Sequence, residues 1–256
     1  MSVQPTCARP QDLPVKADLS RLRVRYRKDS RLAFLGHLDL ISTVERCVRR
    51  SGLPFSIGNG FARRMRIQFS SALPTGTSSV CEYFDVRLTE EVDAREALER
   101  LRAATPGALA PSGASYVPGR LPALEAWLDR AAWEVTVECG GARADDLLEG
   151  IEAVRGEGSL TYLRGDRAKT VDVGVALAGA GACDVAPGVV RLELETRSSH
   201  AGALRPQILV AAALERVGAG EAEVMRVRRT GQWHEEHGRL VEPLGPFGEE
   251  CRAPLS

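Results

Sequence analysis

Residues 21–27 read Arg21-Leu22-Arg23-Val24-Arg25-Tyr26-Arg27, and this alternation decides how the first part of the chain folds. Successive side chains of a strand leave on opposite faces. Leu22, Val24 and Tyr26 therefore share an apolar face and the arginines the other, as on a half-buried strand. In that register Arg23 and Arg25 are expected at a surface. From Leu38 the period lengthens: Leu38, Ile41, Val44 and Val48 recur at helical spacing, with Glu45, Arg46, Arg49 and Arg50 elsewhere. Gly52 ends this helix and Pro54 follows.

Working outward, Gly58-Asn59-Gly60-Phe61-Ala62-Arg63-Arg64 reads as a glycine-rich basic loop. Arg66 to Ser70 reads as a strand, Pro74-Thr75-Gly76 as a turn and Cys81 to Leu88 as a strand. Asp93 with Glu96 predicts a capped helix running to about Ala104, and a last strand is expected near Ala114 to Val117. The order β-α-β-β-α-β is that of the split βαβ, ferredoxin-like arrangement. The second half repeats the theme. Strands are expected at Trp133–Val137, Ser159–Arg164, Lys169–Leu177, Val189–Glu195 and Val224–Val227. One helix carries Leu147, Leu148, Ile151 and Val154, and another opens at Arg205-Pro206. Gly179-Ala180-Gly181 reads as a flexible turn.

The fold class expected is α+β: two tandem ferredoxin-like domains, with antiparallel sheets and helices on one face. The divisions expected are a flexible leader over 1–20, a first domain over 21–118 and a proline-rich connector over 119–131. A second domain over 132–230 and a loose acidic tail over 231–256 follow. No stretch reads as a signal peptide or membrane span, so a cytoplasmic protein without a membrane partner is expected.

Formal charge sums to zero over 256 residues, but residues 21–70 hold twelve Arg and Lys against Asp29, Asp39 and Glu45. That excess of nine positive charges points to an anionic partner on one face. The competing explanation is that arginine is simply the default surface cation here, since only Lys16, Lys28 and Lys169 are lysines. The six cysteines, Cys7, Cys47, Cys81, Cys139, Cys183 and Cys251, lie at least 34 positions apart, so no local pair is spaced to hold zinc or an iron–sulfur cluster. The chain is expected to carry no cofactor or metal of its own. His234 and His237 flank two glutamates in a pattern unlike a metalloprotease helix, and read as solvated sequence.

Several segments together resemble a known family. They are Phe34-Leu35-Gly36-His37-Leu38-Asp39-Leu40, Arg49-Arg50-Ser51-Gly52-Leu53-Pro54, Gly60-Phe61, Arg66 through Gly76, and Glu82-Tyr83-Phe84-Asp85. This succession resembles the radical-SAM-linked protein family, a bacterial domain of unknown function, closely over 21–118. Beyond it, Ala132-Trp133-Glu134-Val135, Lys169-Thr170-Val171-Asp172 and Arg228-Arg229-Thr230-Gly231 follow in the expected order. The sequence departs from the family where Ala62-Arg63 replaces Asn-Pro, and where Val173-Gly174 replaces Arg-Pro. The resemblance implies partnership with a separate radical SAM enzyme, often one with a cobalamin-binding-like domain. It names no reaction.

The expected contact surface gathers Arg23, Arg25, His37, Arg46, Arg49, Arg50, Gly58, Gly60, Phe61, Arg63, Arg64 and Arg66. The foremost reading is a non-catalytic accessory or substrate-recruiting partner. The second is an RNA-binding module assisting RNA modification, since tandem sheets with basic faces suit phosphate contacts. The third, a stand-alone enzyme, would use His37 and Asp39 at the helix mouth. A structural alternative has Asp39 serving the helix dipole and His37 bonding a nearby carbonyl.

Overall fold

The computed structural model describes residues 19–58, 63–199 and 202–247. The protein is a mixed α+β structure built on a large, mostly antiparallel sheet. The first half runs β1 (Ser20–Lys28), α1 (His37–Arg50), β2 (Ile67–Phe69), β3 (Ser78–Leu88), α2 (Ala94–Ala104) and β4 (Pro111–Tyr116). A short α3 (Leu124–Trp127) leads into the second half. There β5 (Arg130–Glu138), α4 (Ala144–Gly156), β6 (Ser159–Arg164), β7 (Arg167–Asp172), α5 (Val173–Ala176), β8 (Leu177–Ala186) and β9 (Val189–Ser199) follow in order. The last elements among the described residues are β10 (Gly202–Ala203), α6 (Pro206–Arg216), β11 (Val224–Glu236) and β12 (Arg239–Val241).

Pairing in the first half runs β4-β1-β3-β2, and in the second β11-β5-β9-β8. The expectation of two separate sheets is corrected at one junction. β11 joins β3 in parallel at Arg228–Ser78 and Arg229–Ser79, fusing both halves into one ten-stranded sheet. The β6–β7 hairpin and α5 stand apart from that sheet, between α4 and β8.

The apolar alternation of β1 builds the first core as expected: Leu22, Val24 and Tyr26 pack with Phe84, Val86 and Leu88 against α1 and α2. In α1 the buried stripe is Leu40, Val44, Cys47 and Val48, rotated from the one expected, and Leu38 is exposed. Asp93 caps α2 by accepting from the amides of Arg95 and Glu96. In the second half α4 and α6 cover one face of the sheet. Along β9, Val190, Leu192 and Leu194 are buried while Arg191, Glu193 and Glu195 are exposed, the pattern of a one-sided sheet. Gly179-Ala180-Gly181 is not a turn: it lies within β8, paired with Glu195, Leu194 and Glu193 of β9.

The other face of β1 and β3 is covered as well. Every residue from Cys81 to Leu88 is buried, so β3 has no solvated side. The cover is α3 with its flanks, plus the segment after β12: Leu124, Trp127 and Leu128, with Leu244 and Phe247, pack on Cys81 and Tyr83. Two expectations change here. The connector is a packed layer, and the chain beyond residue 230 continues as β11 and β12 up to the segment that closes over β1, rather than running as a loose tail. Among the described residues no helix is long and apolar enough to cross a membrane.

Candidate functional site

The arginines of β1 are placed by this second layer. Arg23 is fully buried, donates to both oxygens of Asp85 and to the Pro243 carbonyl, and stacks on Trp127 at 4.7 Å. Arg21 shares Asp85 and donates to the carbonyls of Leu121 and Pro122. Arg87 reaches the carbonyls of Leu19 and Gly119. Irregular covering segments carry carbonyls that no ladder satisfies, and guanidinium forks supply the missing donors. The expectation that Arg23 faces a partner therefore does not hold, because its side chain has no exposed surface. Arg25 is half-buried and donates to the Val80 carbonyl at 3.3 Å. Arg66, also half-buried, borders a hollow of about 300 Å³ together with Arg21, Asp85 and Arg87.

The remaining predicted residues form an outer rim. Arg46, Arg49 and Arg50 are exposed on α1; Arg46 donates to the Ser42 carbonyl and Arg49 meets Glu45 at 3.4 Å. Arg63 and Arg64 are exposed on the loop, which closes through an amide–carbonyl bond from Gly58 to Arg64 at 2.8 Å. Arg63 holds a left-handed backbone with φ of 42°. Gly60 and Phe61 lie outside the described residues. His37 opens α1 and meets the Phe69 ring edge-on at 6.3 Å. Asp39, two positions on, points elsewhere, since residues i and i+2 of a helix do not face one another. Its carboxylate lies over the first turn near Gly36, where it favours the helix dipole. The pair is thus not assembled as an acid–base couple.

Sequence reasoning missed the apolar part of this rim. Phe34 and Leu38, on either side of His37, are 70% and 78% exposed, and Ile57 on the neighbouring loop is 42% exposed. Leu38 had a place in the expected core stripe, and Phe34 entered only as the first residue of a segment that carries the family resemblance.

A second feature lies where the two halves meet. Ser71, Ala72 and Pro74 of the first half, and Trp133, Tyr162, Lys169, Arg205 and Arg229 of the second, line a cleft of about 310 Å³. Arg229 stacks on Trp133 at 4.7 Å and donates to Glu82 at 3.2 Å and to the Ser71 carbonyl. Glu82 also accepts from Ser70 and Gln232. Burial pushes the nearby Lys28 amine down in pKa while the Glu82 carboxylate pulls it partly back. Burial raises the Tyr26 hydroxyl well above its ordinary value, and Glu82 adds to that. Trp133 is fixed by a bond from its Nε1 to Thr196 Oγ1 at 2.9 Å. Three of the second-half segments quoted above, through Trp133, Lys169–Val171 and Arg229, meet in this cleft. Arg130, Tyr162 and Arg205 carried no comparable signal.

Cys47, Cys81 and Cys139 are buried, and burial followed by the Glu82 carboxylate pushes the Cys81 thiol up to about 12. Cys183 is exposed. Among the described residues no group of three His, Cys, Asp or Glu side chains is placed to hold a metal ion.

No curated protein matches this sequence. Among solved structures, the chain is similar to one in a Cbf5-Nop10-Gar1 complex, with a TM-score of 0.46 and 10% identity, covering 92% of this chain and 56% of that one. It is similar also to a chain of an archaeal box H/ACA sRNP Nop10-Cbf5 complex, with a TM-score of 0.42, 10% identity and coverage of 89% and 53%. An unknown protein from Galdieria sulphuraria aligns with a TM-score of 0.25, 11% identity and coverage of 83% and 99%. The chain spans little more than half the length of the first two of these. The family described as an uncharacterized protein conserved in bacteria (DUF2344) matches residues 21–206, most of the sequence, and the chain belongs to that family.

Proposed function

We propose that this protein is a non-catalytic accessory that docks on a separate radical SAM enzyme and presents substrate to it. The observation that carries the docking is the exposed rim along α1. Exposed Phe34 and Leu38 flank His37 at the helix mouth, and the exposed arginines follow toward the far end of α1 and on the 63–64 loop. Exposed apolar anchors suit the buried part of a protein-binding patch, and exposed charges suit its rim. The radical SAM identity of the partner rests on the sequence resemblance. The wide spacing of the cysteines supports leaving the radical chemistry to that partner. The reading takes each half as a split βαβ unit, which the matching strand orders support, and takes the protein as cytoplasmic.

The test is binding of the purified chain to a radical SAM enzyme encoded beside it, by interferometry. The Phe34→Ser, Leu38→Ser double variant should lose at least about tenfold in affinity, since truncating anchor residues of a patch costs more than about 1.4 kcal/mol. Undiminished binding would remove the rim from the reading. A second reading, RNA binding, draws on the exposed Phe34 ring, which suits base stacking, and on the exposed arginines, which suit phosphate contacts. It requires affinity for single-stranded RNA that falls steeply with salt.

A further inference from the structure

We propose that the cleft between the halves is a binding site for a small phosphate monoester, about the size of a sugar phosphate; this goes beyond the docking role of the α1 rim. The cavity, at about 310 Å³, falls at the lower end of ligand pockets. Its charge is one-sided. Arg130, Lys169, Arg205 and Arg229 line it, against the single carboxylate of Glu125. Arg130 is neutralised by Glu195 and Glu235, and Arg229 by Glu82. Among the described residues Lys169 and Arg205 have no carboxylate partner. Arg205 instead lies over the Tyr162 ring at 5.5 Å, which holds its guanidinium plane in place.

The wall beside these two unpaired cations points to an anion in this space. It includes Leu204, Arg205 and Pro206, the entry to the 11-residue helix α6. Arg205 is the N-cap residue and makes no side-chain cap, so the positive end of this helix is left uncompensated. Two unpaired cations beside a helix start match the two negative charges of a phosphate monoester better than one carboxylate. The hydroxyls of Thr170 and Ser198 supply donors for a sugar, and Ala72, Pro74 and Val171 supply an apolar wall for its carbon face.

The test is calorimetric titration of the full chain with ribose 5-phosphate, adenosine 5′-monophosphate, inorganic phosphate and succinate, at constant ionic strength. At least one ester should bind saturably and more tightly than inorganic phosphate or succinate. Lys169→Gln with Arg205→Gln should weaken that ester at least tenfold while leaving the melting temperature of the unliganded protein unchanged. Arg120→Gln, at an exposed position elsewhere, serves as the control. The proposal is overturned if neither ester binds with a Kd below about 1 mM, or if the double variant binds as the wild type does. It is also overturned if a single-stranded oligonucleotide binds there and neither ester competes with it.

Discussion

Arg23 of β1 stands directly opposite Asp85 of β3, and the two close a two-point ion pair, Nε to Oδ1 at 2.8 Å and Nη2 to Oδ2 at 3.1 Å, with no exposure of the guanidinium. Arg21 approaches the same carboxylate, so one negative charge serves two buried cations. Removing it leaves both uncompensated. Asp85→Ala should therefore cost about 3–5 kcal/mol, read as a lower midpoint in urea unfolding at unchanged slope. A loss under about 1 kcal/mol, typical of an exposed pair, would mean that water reaches this layer.

The cover over that pair has its own signature. Trp127 stacks on Arg23 and packs over the strand bearing Cys81. In the intact protein Cys81 should resist alkylation at neutral pH, because its thiol is held near 12, while exposed Cys183 reacts. Trp127→Ala should cost about 3–5 kcal/mol and bring Cys81 into reaction, seen by peptide mass mapping. Equal labelling of Cys81 before and after the change would detach α3 from this role.

The legible parts of the fold were those set by local pattern. The β1 alternation, the Asp93 cap and the proline at the start of α6 each act within a few residues, and each element formed. The second cover was not legible, because Arg23 finds Pro243 across 220 positions and nothing in a local alternation says whether its polar face meets water or carbonyls. The α1 stripe failed for a narrower reason. Leu38, Ile41, Val44 and Val48 fit helical spacing as well as Leu40, Val44, Cys47 and Val48 do, and treating Cys47 as apolar settles the choice. Glycines 179 and 181 read as turn residues, yet their strand is held by the ladder along β9. The cleft draws on residues from both halves of the chain, so only the tertiary fold brings them together.

Helix α4 contains two glycines with opposite expected behaviour. A Cβ at Gly150 would run into the backbone carbonyl of Ala213 on α6, whereas one at Gly156 meets nothing within 4 Å. Alanine gains about 1 kcal/mol of helix propensity over glycine. At Gly150 that gain is outweighed by a backbone clash that no side-chain rotation relieves, and a net loss of about 1–3 kcal/mol is expected. Gly156→Ala should be neutral or stabilising. Thermal melts of the two variants should shift in opposite directions, and a stable Gly150→Ala protein would show that α4 and α6 can slide apart.

Glu235 near the end of β11 accepts from Arg197 and Arg130, which together hold its carboxyl down to about 2. A depressed folded-state pKa stabilises the fold above the unfolded value of about 4.3. That contribution is lost as pH falls from there toward about 2. Glu235→Gln should therefore lower the melting temperature at pH 7 and make little difference near pH 2. A difference that persists undiminished through acid would assign the effect to packing.

The α1 rim separates two physical roles that a binding assay can resolve. Arg46, Arg49 and Arg50 are exposed near the end of α1, and Arg63 and Arg64 stand on the neighbouring loop. Exposed charges at the border of an interface steer the encounter and act on the association rate, with strong salt dependence, whereas desolvated anchors act on dissociation. Replacing Arg63 and Arg64, or Arg49 and Arg50, with glutamine should slow association with the partner enzyme and flatten its dependence on salt, leaving dissociation nearly unchanged. Phe34→Ser with Leu38→Ser should do the reverse, speeding dissociation with little effect on the salt slope. Arg120 and Arg239, exposed at other positions, are the charge-matched controls. If glutamine at those two slows association as much as at the rim, the protein's overall charge governs the encounter and the rim has no special part in it.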